Sequence, residues 1–176
     1  MLTRWDHELF YFLNGNWHNH FLDIVMLVLT QLGNSIFLLF IAVALLFFRK
    51  REIRIFGLLL LIGVLVSSAI AWGLKYLTHG PRPFIFLPQV NFFIKDSGFS
   101  FPSGHAANIF MAASFLTMYF KRFYWVFIIA FVVGFSRVYL GEHFPSDVIA
   151  GAVIGILIGL GLARIKSLSS WSMSTS

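Results

Sequence analysis

His143 and Asp147 stand four residues apart in the stretch Ser136 to Asp147, which reads Ser-Arg-Val-Tyr-Leu-Gly-Glu-His-Phe-Pro-Ser-Asp and joins two strongly apolar runs. Pro145 lies between them, and proline is well tolerated in the first turn of a helix. The spacing predicts a helix beginning here, with His143 and Asp147 on one face a turn apart. An imidazole steered by a carboxylate, with the fixed cation of Arg137 nearby, is a nucleophile suited to an anionic substrate. Taken alone, the stretch reads equally well as a turn at a membrane surface with scattered polar residues.

Two further polar segments extend the chemistry: Lys75 through Arg82-Pro83, and Pro102-Ser103-Gly104-His105. Lys75, Arg82 and Arg137 supply three positive charges, enough to offset a phosphate dianion and the charge on its oxygens in a transition state. Arginine also forks onto two oxygens at once. Ser103 and Gly104 fall at a helix start, where free N–H groups and the helix dipole favour an anion, and Gly104 lets backbone approach closely. His143 can attack phosphorus, Asp147 can fix its tautomer and stabilise the imidazolium, and His105 can protonate the leaving oxygen.

Each group also has a plainer use. Lys75 and Arg82 suit cations snorkelling at a membrane edge, and Pro102-Ser103 suits a capped helix start. Ser103 could be a hydrolase nucleophile, although no Gly-x-Ser-x-Gly frame surrounds it. His105 and His143 could be interfacial, as His7, His18, His20 and His79 read, with His79 placed in sequence to touch a substrate as well. Three cations would repel a metal ion, and only Asp147 and Glu142 offer carboxylates. No metal and no cofactor is expected.

The elements that must position these groups are membrane helices. The 176 residues are 59% hydrophobic, 18% aromatic and only 11% charged, where a soluble chain carries about a quarter charged residues. The fold class expected is an all-α polytopic membrane bundle with five to six transmembrane helices. There is no cysteine, which excludes disulfides and thiolate metal sites. Arg4, Asp6, His7 and Glu8 break up the first residues, so they do not read as a secretory signal.

Residues 1–34 are read as interfacial helices anchored by Trp5 and Trp17, with a short first span as the alternative. Spans are expected at Ser35–Phe48, Ile55–Leu77, Ala106–Phe120, Phe123–Leu140 and Val148–Ala163 within a catalytic domain of residues 35–166. Thr78 to His105 holds four prolines and cannot be one helix; its phenylalanines from Phe84 to Phe101 suggest a lid or lipid-contact surface. Residues 167–176 are serine-rich and expected to be a disordered tail. Arg49, Lys50, Arg51 and Arg54, then Lys121 and Arg122, then Arg164 and Lys166 fall on one side of five spans, which should be the cytoplasm, while Lys75, Arg82, Lys95 and Arg137 fall on the other. The net charge of +6 is thus mostly a topology signal, and no nucleic-acid partner is expected. Along the last span, His143, Asp147, Gly151, Gly155 and Gly159 recur every four residues, a small-residue stripe that permits close helix contact.

The pattern Lys75-x6-Arg82-Pro83, Pro102-Ser103-Gly104-His105 and Ser136-Arg137-x5-His143-x3-Asp147 resembles the type 2 phosphatidic acid phosphatases. The resemblance implies a helical core and metal-independent hydrolysis of a phosphate monoester or pyrophosphate through a phosphohistidine on His143. It implies His105 as acid, Asp147 as partner of His143, and Lys75, Arg82, Ser103, Gly104 and Arg137 as phosphate binders. Soluble vanadium haloperoxidases resemble the same signature, but this composition speaks against that branch. The partners implied are the bilayer and a membrane lipid phosphate, with no obligate protein partner. The expected location is a bacterial inner membrane, with the site facing outward. Overall resemblance favours lipid A 1-phosphate as substrate, with undecaprenyl pyrophosphate and phosphatidylglycerol phosphate as alternatives. A phosphate-binding transporter is the non-enzymatic alternative, and the presence of nucleophile, orienting acid and general acid together argues against it.

Overall fold

The computed structural model describes residues 4–94 and 98–172, with side chains as far as Ile165. Lys95 and the side chain of Lys166, both counted above among the cations, lie outside the described part. Every regular element among the described residues is helical. In chain order these are α1 (Arg4–Gly15), α2 (His20–Leu29) leading through a 3-10 turn (Thr30–Gly33) into α3 (Ser35–Leu46), α4 (Arg51–Thr78), a single turn α5 (Pro83–Phe86), α6 (Gly104–Phe120), α7 (Val126–Tyr139) and α8 (Pro145–Ser172).

The helix boundaries follow local chemistry. Asn34 caps α3 by accepting the Ile36 N–H at 2.8 Å, and Ser103 caps α6 by accepting that of Ala106. Helix α4 stops where His79 turns left-handed, and α6 where Lys121 does. Helices α4 and α8 are long and apolar enough to cross a membrane, and the α2–α3 pair, bent by 52°, would make a third if counted as one span. Helices α6 and α7 have 17 and 14 residues, short of the roughly 20 a full crossing takes. By length and composition, two described helices, or three counting the bent pair as one, pass as complete crossings, and α6 with 17 residues sits at the lower end of the range for a span. Helix α8 continues to Ser172, past Ser167 where the tail was expected to begin; residues 173–176 lie outside the described part.

Between helices in lipid there is little hydrophobic driving force, so close packing and interhelical hydrogen bonds must hold them. The α6–α8 contact shows this best. A Cβ on Gly151 would strike the carbonyl oxygen of Ser103, one on Gly155 that of Ala107, and one on Gly159 the hydroxyl of Ser114. The glycine stripe therefore brings α8 onto the backbone of α6. Leu38, Leu60, Val64, Met111 and Phe115 form the apolar core beside it, with Phe56 stacked on Phe115 at 4.9 Å. A buried polar clamp crosses this core: Asn108 on α6 donates to Ser35 of α3 at 2.8 Å and accepts from Ser67 of α4.

The N-terminal helices are tied to the bundle at its functional end. Asp6, only 1% exposed, accepts the backbone N–H of Ser146 at 2.9 Å and its hydroxyl at 2.6 Å. A side chain on α1 thus caps the start of α8. Asn14 donates to the carbonyls of Asn91 and Tyr139, both at 2.8 Å, and Asn91 lies over Gly141, whose φ of +75° suits glycine. Asp6→Ala is expected to cost about 1–2 kcal/mol, the usual worth of a helix cap, read as a lower thermal midpoint in detergent. An unchanged midpoint would show that the contact is ornamental.

Candidate active site

Lys75 closes α4, His105 opens α6, Arg137 closes α7 and Asp147 lies in the first turn of α8, so antiparallel packing gathers all four at one end of the bundle. At the other end the Tyr119 hydroxyl donates to the Glu52 carbonyl at 2.8 Å, placing the Lys121–Arg122 and Arg49–Arg54 clusters together and away from the site.

His143 Nδ1 lies 3.4 Å from Asp147 Oδ2, and both residues are buried. The expected pair exists, but the expected helix does not carry both members. Helix α8 begins at Pro145, leaving His143 in the preceding turn. The pairing survives because Asp147, three residues after the cap position, reaches back to accept the Phe144 N–H at 2.9 Å, half of a capping box. Asp6 supplies the other acceptor from α1. One carboxylate therefore both starts the helix and lies against the imidazole.

Ser100 joins this pair. Its hydroxyl donates to Asp147 Oδ2 at 2.5 Å and sits 3.3 Å from His143 Nδ1. The loop that carries it is held by Ser100 N–H donating to the Gly80 carbonyl at 2.8 Å and by Lys75, whose ammonium donates to the carbonyls of Phe99 and Ser100 at 2.5 and 2.9 Å. Lys75 thus braces the loop as well as bringing its charge to the site. The Ser103 N–H donates to the Asp147 carbonyl at 3.0 Å, locking the start of α6 to that of α8.

Arg82, 2% exposed, donates through Nε to the Gly98 carbonyl at 2.8 Å and through Nη1 to Glu142 Oε2 at 2.6 Å. Arg137, 4% exposed, donates through Nη1 to Thr30 Oγ1 at 2.8 Å, and its Nη2 lies 3.5 Å from Glu142 Oε2. Gly104, His105 and Lys75 are half-buried and form the accessible rim. No atom of the described residues lies within 4 Å of a Cβ added to Gly104, so among the described residues the N-terminal turn of α6 is left open, as an anion site at a helix start must be. His105 lies within the field of Arg137, His143, Arg82 and Lys75. Among the described residues no group of three or more His, Asp or Glu side chains could hold a metal ion.

A cleft of about 560 Å³ opens beside the site, lined among others by His7, His79, Phe86, Ser100 and Asp147. Among the described residues it meets the site through Ser100 and Asp147 rather than through the arginines. Ile85, Phe86, Phe92 and Phe93 are exposed along the segment read as a lid or lipid-contact surface.

All eight residues singled out from sequence occupy this one end. Three participants were not: Ser100 and Thr30 have no distinguishing neighbours in sequence, and Glu142 was weighed only as a metal ligand. Thr30 belongs to the segment read as interfacial, yet it is fully buried against Arg137.

Residues 53–171 match the PAP2 superfamily. The undecaprenyl-diphosphatase of Sulfolobus acidocaldarius is 33% identical over 91% of this chain and 78% of its own. The crystal structure of Aquifex aeolicus LpxE superposes with a TM-score of 0.81 at 31% identity, covering 92% of this chain and 96% of that one. That of a transmembrane PAP2-type phosphatidylglycerolphosphate phosphatase from Bacillus subtilis gives 0.75 at 28% identity, covering 94% and 88%. With its polar segments gathered at one end of an apolar helical bundle, this chain belongs to the PAP2 superfamily of membrane lipid phosphatases.

Proposed function

We propose that the protein removes a terminal phosphate from a membrane lipid, a phosphomonoester or pyrophosphate, through a phosphohistidine on His143 and without a metal. The observation that carries this reading is the pairing of His143 with Asp147 at 3.4 Å beside two buried arginines. Asp147 holds Nδ1 so that Nε2 points its lone pair at phosphorus. Arg82, Arg137 and Lys75, with the backbone of Ser103 and Gly104, take up the oxygen charge as the P–O bond to the lipid breaks. His105 gives its proton to the departing oxygen, then accepts one from the water that attacks the phosphohistidine, releasing phosphate and restoring His143.

The lipid enters sideways with its tails in the bilayer. An apolar groove of about 500 Å³, lined by residues including Leu9, Phe110, Phe135, Pro145 and Val148, reaches the turn that carries His143 and suits such a tail. The cationic clusters at the opposite end favour a site facing away from the cytoplasm, in an inner membrane of bacterial type. Lipid A 1-phosphate, undecaprenyl pyrophosphate and phosphatidylglycerol phosphate are the substrates to rank, lipid A 1-phosphate first.

The test is phosphate release by detergent-purified protein from each of the three lipids, with chelator present. Release that persists under chelation is expected, with one lipid turned over at least about tenfold faster than the others, a difference of 1.4 kcal/mol in transition-state binding. Loss of activity on chelation would overturn the metal-free reading.

A further inference from the structure

Among the described residues, Glu142 is a buried acid in contact with the site's arginines that the reaction does not use. Its side chain is fully inaccessible, and its Oε2 is 2.6 Å from Arg82 Nη1 and 3.5 Å from Arg137 Nη2. Arg82 Nη1 also lies 3.2 Å from the Glu142 backbone carbonyl, as the donor. A carboxylate in contact with both guanidiniums opposes the ligand those guanidiniums are there to hold, because like charges at short range in a dry site repel strongly. The same carboxylate solves a different problem. Arg82, Arg137 and Lys75 gather at this one end of the bundle, the two arginines buried, and buried charge without compensation is strongly destabilising.

We infer that Glu142 is a resident counter-anion that sets the charge of the phosphate pocket: it holds Arg82 and Arg137 in place between turnovers and loosens the grip on released phosphate. The inference rests on reading this pocket as a phosphate site. Its effect falls unequally on substrate and product. A lipid substrate is also held by its tails, whereas inorganic phosphate has only the pocket's charges. Glu142 therefore favours release of product over release of substrate.

The experiment compares wild type, Glu142→Gln and Glu142→Asp for kcat, KM and the inhibition constant of inorganic phosphate. The glutamine carbonyl can still accept from Arg82, so geometry is largely kept while the charge is lost. Glu142→Gln is expected to bind inorganic phosphate about tenfold more tightly, with a smaller fall in KM and a lower kcat. Glu142→Asp, which retains the charge, should keep the wild-type inhibition constant. An unchanged or weaker phosphate inhibition in Glu142→Gln would overturn the proposal. If Glu142→Gln is unstable in detergent, thermal unfolding with added inorganic phosphate decides: the ligand should restore it by standing in for the missing charge. Failure to restore it would overturn the proposal as well. His143→Ala is assayed alongside. Phosphate release that survives in His143→Ala overturns the phosphohistidine reading itself, whatever Glu142→Gln does to phosphate affinity.

Discussion

His143→Ala should reduce phosphate release by about 10³-fold or more, the scale seen when a nucleophile that acts in concert with its base is deleted. The loss should appear in kcat with KM little changed, because the phosphate contacts proposed for Arg82, Arg137, Lys75 and the α6 N-terminus would all remain. It should also abolish covalent labelling. Brief exposure of wild type to lipid carrying radioactive phosphate should leave a label on the protein that acid removes and alkali does not, as for a phosphoramidate. His143→Ala should carry none. Retained turnover, or a label that survives acid, would place the nucleophile elsewhere. His143 is only 2% exposed and lies in the turn before α8, so its removal leaves a small cavity rather than a broken helix. The variant should fold, which makes the kinetic result readable.

Gly155→Leu should have the largest effect on the fold. Helix α8 meets α6 so closely at this point that even a Cβ would run into the Ala107 carbonyl and come within 2.7 Å of Met111 N. The obstacle is backbone, which cannot rotate aside as a side chain can. Overpacking usually costs about 1–3 kcal/mol, and a forced separation of two helix backbones belongs at or above the top of that range. Loss of monodisperse protein in detergent is the expected outcome. Where some folded protein remains, activity should be lost, because the same contact sets where Ser103 and Asp147 meet. The control is on the same helix. No atom of the described residues lies within 4 Å of a Cβ at Gly161, so Gly161→Leu should leave yield, thermal midpoint and turnover unchanged. Equal damage at both positions would mean that propensity, not interhelical contact, makes these glycines necessary.

Much of the site was legible in the residues themselves, for a physical reason. An apolar membrane chain pays heavily for each buried charge, so Lys75, Arg82, Arg137, His143 and Asp147 stand out against their surroundings and mark a function. Helix periodicity carried the glycine stripe in the same way, because spacing along one helix is a local property. The alternation of helix direction also predicted that the three polar segments share one end.

What the tertiary structure decided is how those charges are held. Ser100 reaches Asp147 across 47 positions, Arg82 reaches Glu142 across 60, Thr30 accepts from Arg137 across 107, and Asp6 caps Ser146 across 140. None of these pairs has a local signature, since a serine or threonine in an apolar run looks like any other until its partner is known. Even His143 and Asp147, close enough in sequence to pair in any reading, depend on a cap delivered by α1 to fix where α8 begins. The groups proposed to react were thus legible in residue type and spacing, while their supports came from helices that meet only when the chain is packed.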